Sequence, residues 1–214
     1  MTSIQVSAFY EDKINKAIGL DNISARLSKC GTRAICPSIT KLLNISIRTS
    51  NFPEIWKCSK VPALFKTGDR TNASNYRPIS ILPTMSTILE KVVHSQSYDF
   101  LNSNNLISSK QFGFRTKLST TPAFTSFADE VLLHMESGEL CSAVFLDLAK
   151  AFDTVNHDVL MSKVSAIGVS SRTKQWFKSY LSLRKQRTSC GDAMSDPLPV
   201  TCEHSGTTSF PGLH

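Results

Sequence analysis

Asp147 is the residue of this chain whose position points most directly to chemistry. It follows the continuous apolar run Ala143–Leu146, which has the length and composition of a strand buried on both faces. A carboxylate at the end of such a strand is costly to desolvate unless another group compensates its charge. A divalent metal ion is one such group. The alternative is a carboxylate that is exposed at the strand end or caps the next helix, a role that Asp153 also fits.

A second candidate is a basic stretch with interleaved aromatic residues between positions 172 and 187. It contains no acidic residue, and its six cations are Arg172, Lys174, Lys178, Arg184, Lys185 and Arg187. Such a stretch could lie along nucleic-acid phosphates, with counterion release supplying the affinity. It could equally be an amphipathic helix with a solvated basic face, whose aromatic residues Trp176, Phe177 and Tyr180 pack inward.

A third group of cations occupies a polar loop between two extended segments, residues 57–65 and 77–82. Pro62 predicts that the first segment is an edge strand or a turn, because proline cannot donate to a sheet. The cations of this loop are Lys66, Arg70 and Arg77. Cations on a hairpin can clamp a triphosphate, and a solvated hairpin is the alternative.

Helices predicted from periodicity must support these groups. Helical pieces are expected over residues 11–50, with Pro37 as a first helical residue. Two further helices carry apolar residues at helical spacing and are predicted to face the core. The apolar faces comprise Ile39, Leu42, Leu43 and Ile47, then Met85, Ile88, Leu89, Val92 and Val93, then Phe124, Phe127, Ala128, Val131, Leu132 and Met135. A helix over 158–167 is expected to end at Gly168, and residues 191–214, which lack periodicity, are predicted to be disordered.

Composition and charge exclude several classes of protein. The chain has 214 residues, of which 41% are hydrophobic and 19% charged, a balance typical of globular domains. Lys and Arg outnumber Asp and Glu by 24 to 17, and the resulting net charge of +7 favours a polyanionic partner. Neither a membrane-spanning apolar run nor a secretory signal is visible. We therefore expect no membrane partner and an intracellular location, in the nucleus or the cytoplasm.

Together these segments resemble the reverse transcriptases of non-LTR (LINE-type, Jockey-like) retrotransposons. The resemblance runs from about residue 11 to Val200, and its motifs are YRPIS, QFGFR, FLDLAKAFDTVNH and WFKSYLSLRKQRTS. It implies an α+β fold made of right-hand polymerase fingers and an incomplete ferredoxin-like palm. The implied organisation is an N-terminal helical extension at 1–49, fingers at 50–140, a partial palm at 141–190 and an aberrant tail at 191–214.

The resemblance also implies roles for individual residues. Asp147 matches the first catalytic aspartate, which would hold two Mg²⁺ ions with the help of the Leu148 carbonyl. Phe152 matches the aromatic residue that excludes a ribose 2′-hydroxyl, and Lys66 and Arg77 match the cations that contact the triphosphate. The implied partners are an RNA template, a DNA primer and dNTPs, and the basic residues between 172 and 187 would contact the nucleic acid.

The sequence departs from the family pattern after Cys202. Neither the glycine-rich segment of the type GVPQGS nor the pair of aspartates that follows it occurs in these 214 residues. We therefore expect a truncated reverse transcriptase domain that is inactive alone, and a frameshift or a mis-joined exon would explain the loss. The alternatives are a non-catalytic RNA-binding module and a gene-model fragment of a longer active polyprotein. Without the hairpin that carries those aspartates, the predicted strand before Asp147 has no partner, which predicts marginal stability.

Overall fold

The computed structural model describes residues 17–23, 32–72, 75–148, 151–152 and 154–200. These residues form a mixed α+β structure with five helices and one mixed sheet. The helices are α1 (Thr32–Thr49), α2 (Thr84–Ser103), α3 (Thr120–Glu136), α4 (His157–Ala166) and α5 (Ser171–Leu181). The strands are β1 (Cys58–Phe65), β2 (Tyr76–Pro78), β3 (Lys185–Cys190), β4 (Ala193–Met194) and β5 (Leu198–Pro199). The described residues divide into two compact units, 17–97 with 151–200 and 98–148.

The sheet of the first unit is built around β1. Its strand order is β2-β1-β3-β4, and β5 also pairs with β3. The hairpin that the sequence predicts is confirmed, since β1 pairs antiparallel with β2 and Leu64 stands opposite Arg77. On its other side β1 pairs parallel with β3, and Lys60 stands opposite Arg187. Because parallel strands require a crossover connection, the helices between β2 and β3 can return the chain to this sheet.

Pro62 lies inside the sheet, so the prediction of an edge strand or turn around it is wrong. The backbone of Lys60 exchanges two hydrogen bonds with Ile81, and the β1–β2 pairing then resumes at Ala63. In this register Pro62 lies opposite Ile79, two residues after the hydrogen-bonded pair Lys60–Ile81, so its missing N–H interrupts the β1–β2 ladder at that point. The sheet accommodates the proline at the cost of this one bond.

The core of the first unit is formed by α1, α2, α5 and the chain that enters β1. The apolar face predicted for α2 is confirmed, with four of its members buried: Ile88, Leu89, Val92 and Val93. In α1, Leu43 is buried but Leu42 is 52% exposed. Helix α1 also begins at Thr32, so Pro37 is an interior residue rather than the first one. A proline this near the helix start removes one intrahelical hydrogen bond, at the carbonyl four residues earlier.

Aromatic rings link α5 to the loop after α1. The Phe52 ring lies 5.6 Å from the Trp176 ring and 5.1 Å from the Tyr180 ring, both in edge-on geometry. The buried Trp176 indole donates to Ser46 Oγ at 3.1 Å, and Ser46 Oγ donates to the Asn51 carbonyl at 2.6 Å. The indole N–H and the Ser46 hydroxyl are therefore both hydrogen-bonded. Burying them with the aromatic cluster thus carries no penalty for an unpaired polar group.

The second unit contains the end of α2, an irregular loop and α3. Helix α3 follows Ser119, and Gly138 (φ +75°) lies just beyond its end. The loop before α3 is joined to it by the ion pair between Lys110 and Glu130, at 2.7 Å. Arg115 donates to the Ser108 carbonyl at 3.2 Å within the same loop. This contact holds the Arg115 side chain against its own loop.

Two predictions of burial fail in the second unit. Helix α3 has no buried residue, and its Phe124 is 70% exposed. Residues 143–146 form neither a strand nor a helix, and Phe145 is 83% exposed. In the part of the chain that the structure describes, no strand pairs with this segment, and its apolar side chains stay largely exposed. The Phe145 ring lies 5.8 Å from the Phe127 ring, which is the partial cover that α3 provides.

The end of the described chain differs from the disordered tail that the sequence predicts. Residues 191–200 contain β4 and β5, both paired with β3. The remainder of the predicted tail, residues 201–214, lies outside the described residues. The helix expected over 158–167 is confirmed as α4, which is capped by the Asn156 side chain and followed by Gly168 at φ +80°. No helix within the described ranges has the length and apolarity that a membrane span requires.

Candidate functional site

Asp147 lies in the second unit, in the segment without regular secondary structure that follows α3. Its side chain is exposed. Within the described residues, no three acidic, histidine or cysteine side chains come together as metal ligands. Mg²⁺ requires near-octahedral oxygen coordination and usually takes one or two carboxylates together with substrate phosphates. The lone carboxylate of Asp147, even with the Leu148 carbonyl, does not supply the donors of a two-ion site.

Phe152, the predicted selector against a ribose sugar, lies in the first unit. It is 47% exposed. Residues 149 and 150 and the helix-cap candidate Asp153 lie outside the described residues. The structure therefore describes the position of the ring but not the turn that carries it.

Lys66 and Arg77 are placed together by the β1–β2 hairpin. Arg77 stands opposite Leu64, and the Lys66 amide donates to the Asn75 carbonyl at 2.8 Å, which continues the ladder. Side chains alternate between the two faces of a strand, so Leu64, Lys66 and Arg77 project from one face. Both cations are exposed. The hairpin thus presents two positive charges side by side, an arrangement suited to binding phosphate oxygens.

Arg70, the third cation of the predicted loop, is held on the other face of the hairpin. Its guanidinium lies 4.8 Å from the centre of the Phe65 ring, and the Tyr76 hydroxyl donates to its carbonyl at 2.9 Å. Asp69 orders the loop by accepting from the Thr71 amide at 2.8 Å, a bond that lowers the pKa of Asp69. Arg70 is therefore a packing residue of the loop and does not join Lys66 and Arg77.

The basic stretch from 172 to 187 is divided by the fold. Lys174 and Lys178, one helical turn apart on α5, are exposed on the side opposite the buried Trp176 and Tyr180. Arg172 is also exposed, near the start of the same helix. This part of the stretch has the solvated basic face and the inward aromatic residues of the amphipathic alternative.

Arg184 departs from the prediction that it contacts nucleic acid. Its side chain is 11% exposed, and its Nη2 lies 3.7 Å from Glu90 Oε1. Nη1 donates to the Tyr180 carbonyl at 3.3 Å, and the guanidinium lies 4.6 Å from the centre of the Tyr180 ring. Arg184 is turned inward because it compensates a buried carboxylate, and its charge is not offered to a ligand at the surface.

Glu90 is the partner that sequence reasoning missed. Burial raises its pKa to about 7, although the positive charge of Arg184 opposes the shift. Ser86 Oγ donates to Oε1 at 3.2 Å, while Oε2 has no hydrogen-bond partner among the residues that the structure describes. Burial and the charge of Glu90 also raise the pKa of Tyr180. The sequence does contain a signal for this buried acid. Glu90 lies within the apolar LEKVV motif, one helical turn after Ser86.

Lys185 and Arg187 belong to β3 and share one face of that strand. Lys185 is exposed, and Arg187 is half-buried, with its Nε donating to the Ser195 carbonyl at 2.7 Å. Both lie near Cys58 on β1. Burial raises the pKa of the Cys58 thiol, and the positive charges of Arg187 and Lys185 partly oppose this shift. The residue that stands opposite Arg187 is Lys60, which sequence reasoning did not include.

Comparison with known proteins identifies the family. A model of the reverse transcriptase (RNA-dependent DNA polymerase) family matches residues 65–208. A probable RNA-directed DNA polymerase from transposon BS of Drosophila melanogaster is 32% identical over 76% of this chain, and that from transposon X-element is 33% identical over 70%. A putative 115 kDa protein of the type-1 retrotransposable element R1DM is 28% identical over 88%.

The matched region is a small part of these relatives, because the chain spans 17 to 18% of their length. The matched residues include Lys66, strand β2 with Arg77, the segment that carries Asp147, and β3. The resemblance inferred from the motifs is thus confirmed, and the chain belongs to the reverse transcriptase family, with its relatives in non-LTR retrotransposons.

Proposed function

We propose that this chain is the fingers and first part of the palm of a retrotransposon RNA-directed DNA polymerase, and that these 214 residues do not polymerise alone. The family match supports the first part of the proposal. The isolated carboxylate of Asp147 supports the second. The fingers would occupy 50–140, the partial palm 141–190, and the helical extension 1–49. An intracellular location stays a prediction.

Lys66 and Arg77 are the residues proposed to bind the triphosphate of a dNTP. They are exposed, project from one hairpin face and have no acidic residue on either strand. Charge-assisted hydrogen bonds from such cations to phosphate oxygens are stronger than neutral ones. Phe152 is proposed to lie under the sugar and to favour deoxyribose.

Asp147 is proposed to be one of the carboxylates of the metal site in a complete polymerase domain. Two-metal phosphoryl transfer needs ligands that clamp both the attacking and the leaving oxygen. One exposed carboxylate cannot fix two ions at that separation. The proposed inactivity is therefore supported by one observation. Within the described residues, no cluster of metal-binding side chains surrounds Asp147.

Primer extension tests this inactivity. The purified chain is incubated with an RNA template, an annealed DNA primer, dNTPs and Mg²⁺. We expect no extended primer, and the same result for Asp147→Ala. Extension by the wild-type chain that disappears in Asp147→Ala would show that these residues suffice for catalysis.

Titration with a dNTP tests the nucleotide site independently of catalysis. We expect Lys66→Gln and Arg77→Gln each to weaken binding about tenfold, because each removes one charge-assisted contact. Arg48→Gln, an exposed charge of α1 outside the sheet, is the matched control and should bind like wild type. Equal affinities in all four proteins would refute the assignment of Lys66 and Arg77.

A second candidate function is a non-catalytic RNA-binding module. The net charge of +7 and the exposed cations of α5 favour it. The proposed nucleic-acid contacts then divide into two surfaces, α5 with Arg172, Lys174 and Lys178, and β3 with Lys185 and Arg187. This candidate predicts RNA binding that needs neither Mg²⁺ nor dNTP and that weakens as salt rises.

A further inference from the structure

We propose that one face of the sheet, rather than helix α5, binds the phosphodiester backbone of a single-stranded nucleic acid. This sheet face is defined by the five cations Lys60, Lys66, Arg77, Lys185 and Arg187. The inference rests on the proposed polymerase function, to which it adds the surface that holds the strand. It introduces Lys60, which neither the motifs nor the family match singled out, and it excludes Arg184.

The register of the strands places these cations together. Lys60 stands opposite Arg187 on β3, and Leu64 stands opposite Arg77 on β2. Lys60 and Leu64 are four residues apart on β1, and the pairing of Lys60 with Ile81 keeps the same register, so no bulge reverses the faces between them. Lys185 precedes Arg187 by two residues and shares its face.

The distribution of charge on these strands is one-sided. Strands β1, β2 and β3 contain four basic residues and no acidic residue, and all four basic residues fall on the sheet face. The opposite face carries Ser59 and Val61, which are buried, and then the Phe65–Tyr76 ring pair. The sheet therefore has one face that packs and one that concentrates positive charge.

The charges of the sheet face are not neutralised within the described residues. The ion pairs found among the described residues join Lys110 to Glu130, His134 to Glu139 and Arg184 to Glu90, and none of them involves a cation of the sheet face. Arg77, Lys66 and Lys185 are exposed, and Lys60 and Arg187 are half-buried, as expected for long side chains whose stems lie along a sheet. Uncompensated cations on a low-dielectric surface raise the local concentration of anions.

The spacing of the sheet face suits a chain of phosphates. Residues two apart on a strand are separated by about 6.6 Å, and neighbouring strands by about 4.8 Å. An extended single strand carries its successive phosphates at a similar separation. Because the face carries no aromatic side chain on β1, β2 or β3, we expect phosphate contacts without base stacking. RNA and DNA of one sequence should then bind alike.

The test compares two double variants of equal charge in the full chain. Lys60→Gln/Lys185→Gln removes two cations from the sheet face without altering the proposed dNTP ligands. Lys174→Gln/Lys178→Gln removes two exposed cations from α5. Binding of a labelled single-stranded RNA, and of DNA with the same sequence, is measured by fluorescence anisotropy between about 50 and 200 mM salt, the range in which phosphate contacts govern affinity.

The slope of log affinity against log salt reports the number of phosphates contacted. Each contact to a single strand contributes about 0.7 to this slope. We expect the sheet variant to lose about 1.4 of slope, by the same rule, with RNA and with DNA, and the α5 variant to keep the wild-type slope. If the sheet variant is unstable, Lys185→Gln alone, at an exposed position, should lose about 0.7.

Three outcomes would overturn the proposal. They are equal slopes in the wild-type and sheet variants, a larger loss in the α5 variant, and no binding of either oligonucleotide by the wild-type chain. None of them touches the dNTP titration or the primer-extension result. The sheet face can therefore fail while the proposed polymerase function stands.

Discussion

The Glu90→Gln variant should change how the stability of this protein depends on pH. Glu90 is buried, and the groups that face it are Arg184, Tyr180 and Ser86. The contact to Arg184 is long, at 3.7 Å, and Glu90 Oε2 has no hydrogen-bond partner within the described residues. A buried carboxylate with such incomplete compensation favours its neutral form. Gln has the same shape and stays neutral at every pH.

The magnitude follows from the shift in pKa. Burial raises the pKa of Glu90 from 4.5 to about 7 in the folded protein. Each pKa unit corresponds to about 1.4 kcal/mol, so ionising Glu90 in the folded state costs about 3 kcal/mol. Because the pKa of Glu90 is higher in the folded than in the unfolded protein, its protonated form stabilises the fold. This stabilisation is complete below about pH 4.5, declines as pH rises, and is lost above about pH 7.

Urea unfolding at several pH values between about 5 and 8 measures this effect by linear extrapolation. Relative to wild type, Glu90→Gln should gain stability as pH rises, by up to about 3 kcal/mol at the upper end. Glu130→Gln, at an exposed position, is the control and should keep the wild-type dependence on pH. Parallel pH profiles for wild type and Glu90→Gln would refute the assignment of Glu90 as a buried and incompletely compensated acid.

Two further predictions concern the core and the uncovered segment. Ser46→Ala leaves the buried Trp176 indole N–H without its acceptor and should cost about 1–3 kcal/mol in urea unfolding, whereas Thr49→Ala, at an exposed position of the same helix, should cost less than about 0.5 kcal/mol. Leu146→Glu should change stability by less than about 0.5 kcal/mol and reduce aggregation in light scattering, because Leu146 is 88% exposed. The same substitution at the buried Leu89 should unfold the chain.

Each of these predictions has a result that contradicts it. Equal losses for Ser46→Ala and Thr49→Ala would mean that the indole hydrogen bond adds no stability. A cooperative loss of structure in Leu146→Glu would mean that residues 143–148 are buried, as their apolar sequence predicts.

The helices and the hairpin were the predictable part of the fold. The apolar stripe of α2 and the start and end of α4 follow from residues close to one another in the chain. So does the β1–β2 hairpin, whose polar loop separates two extended segments. Local periodicity and turn residues are sufficient here because the contacts that form these elements are themselves local.

Burial was predicted less well, because it depends on distant segments. The stripe of α3 has the same spacing as that of α2, yet α3 has no buried residue. The run 143–146 has the composition of a central strand, yet it has no partner strand in the described chain. The prediction for Pro62 failed in the opposite direction. Its strand was expected at an edge of the sheet, but it lies between β2 and β3.

The family, the hairpin cations Lys66 and Arg77, and the positive charge of residues 172–187 could all be predicted from the sequence. The direction in which each charge points depends on the fold. Arg184 and Lys185 are adjacent, yet the first is buried against Glu90 and the second lies with Lys60 and Arg187 on the sheet face. Charge is a property of one residue, whereas burial and register are relations between distant segments, which spacing along the chain cannot specify.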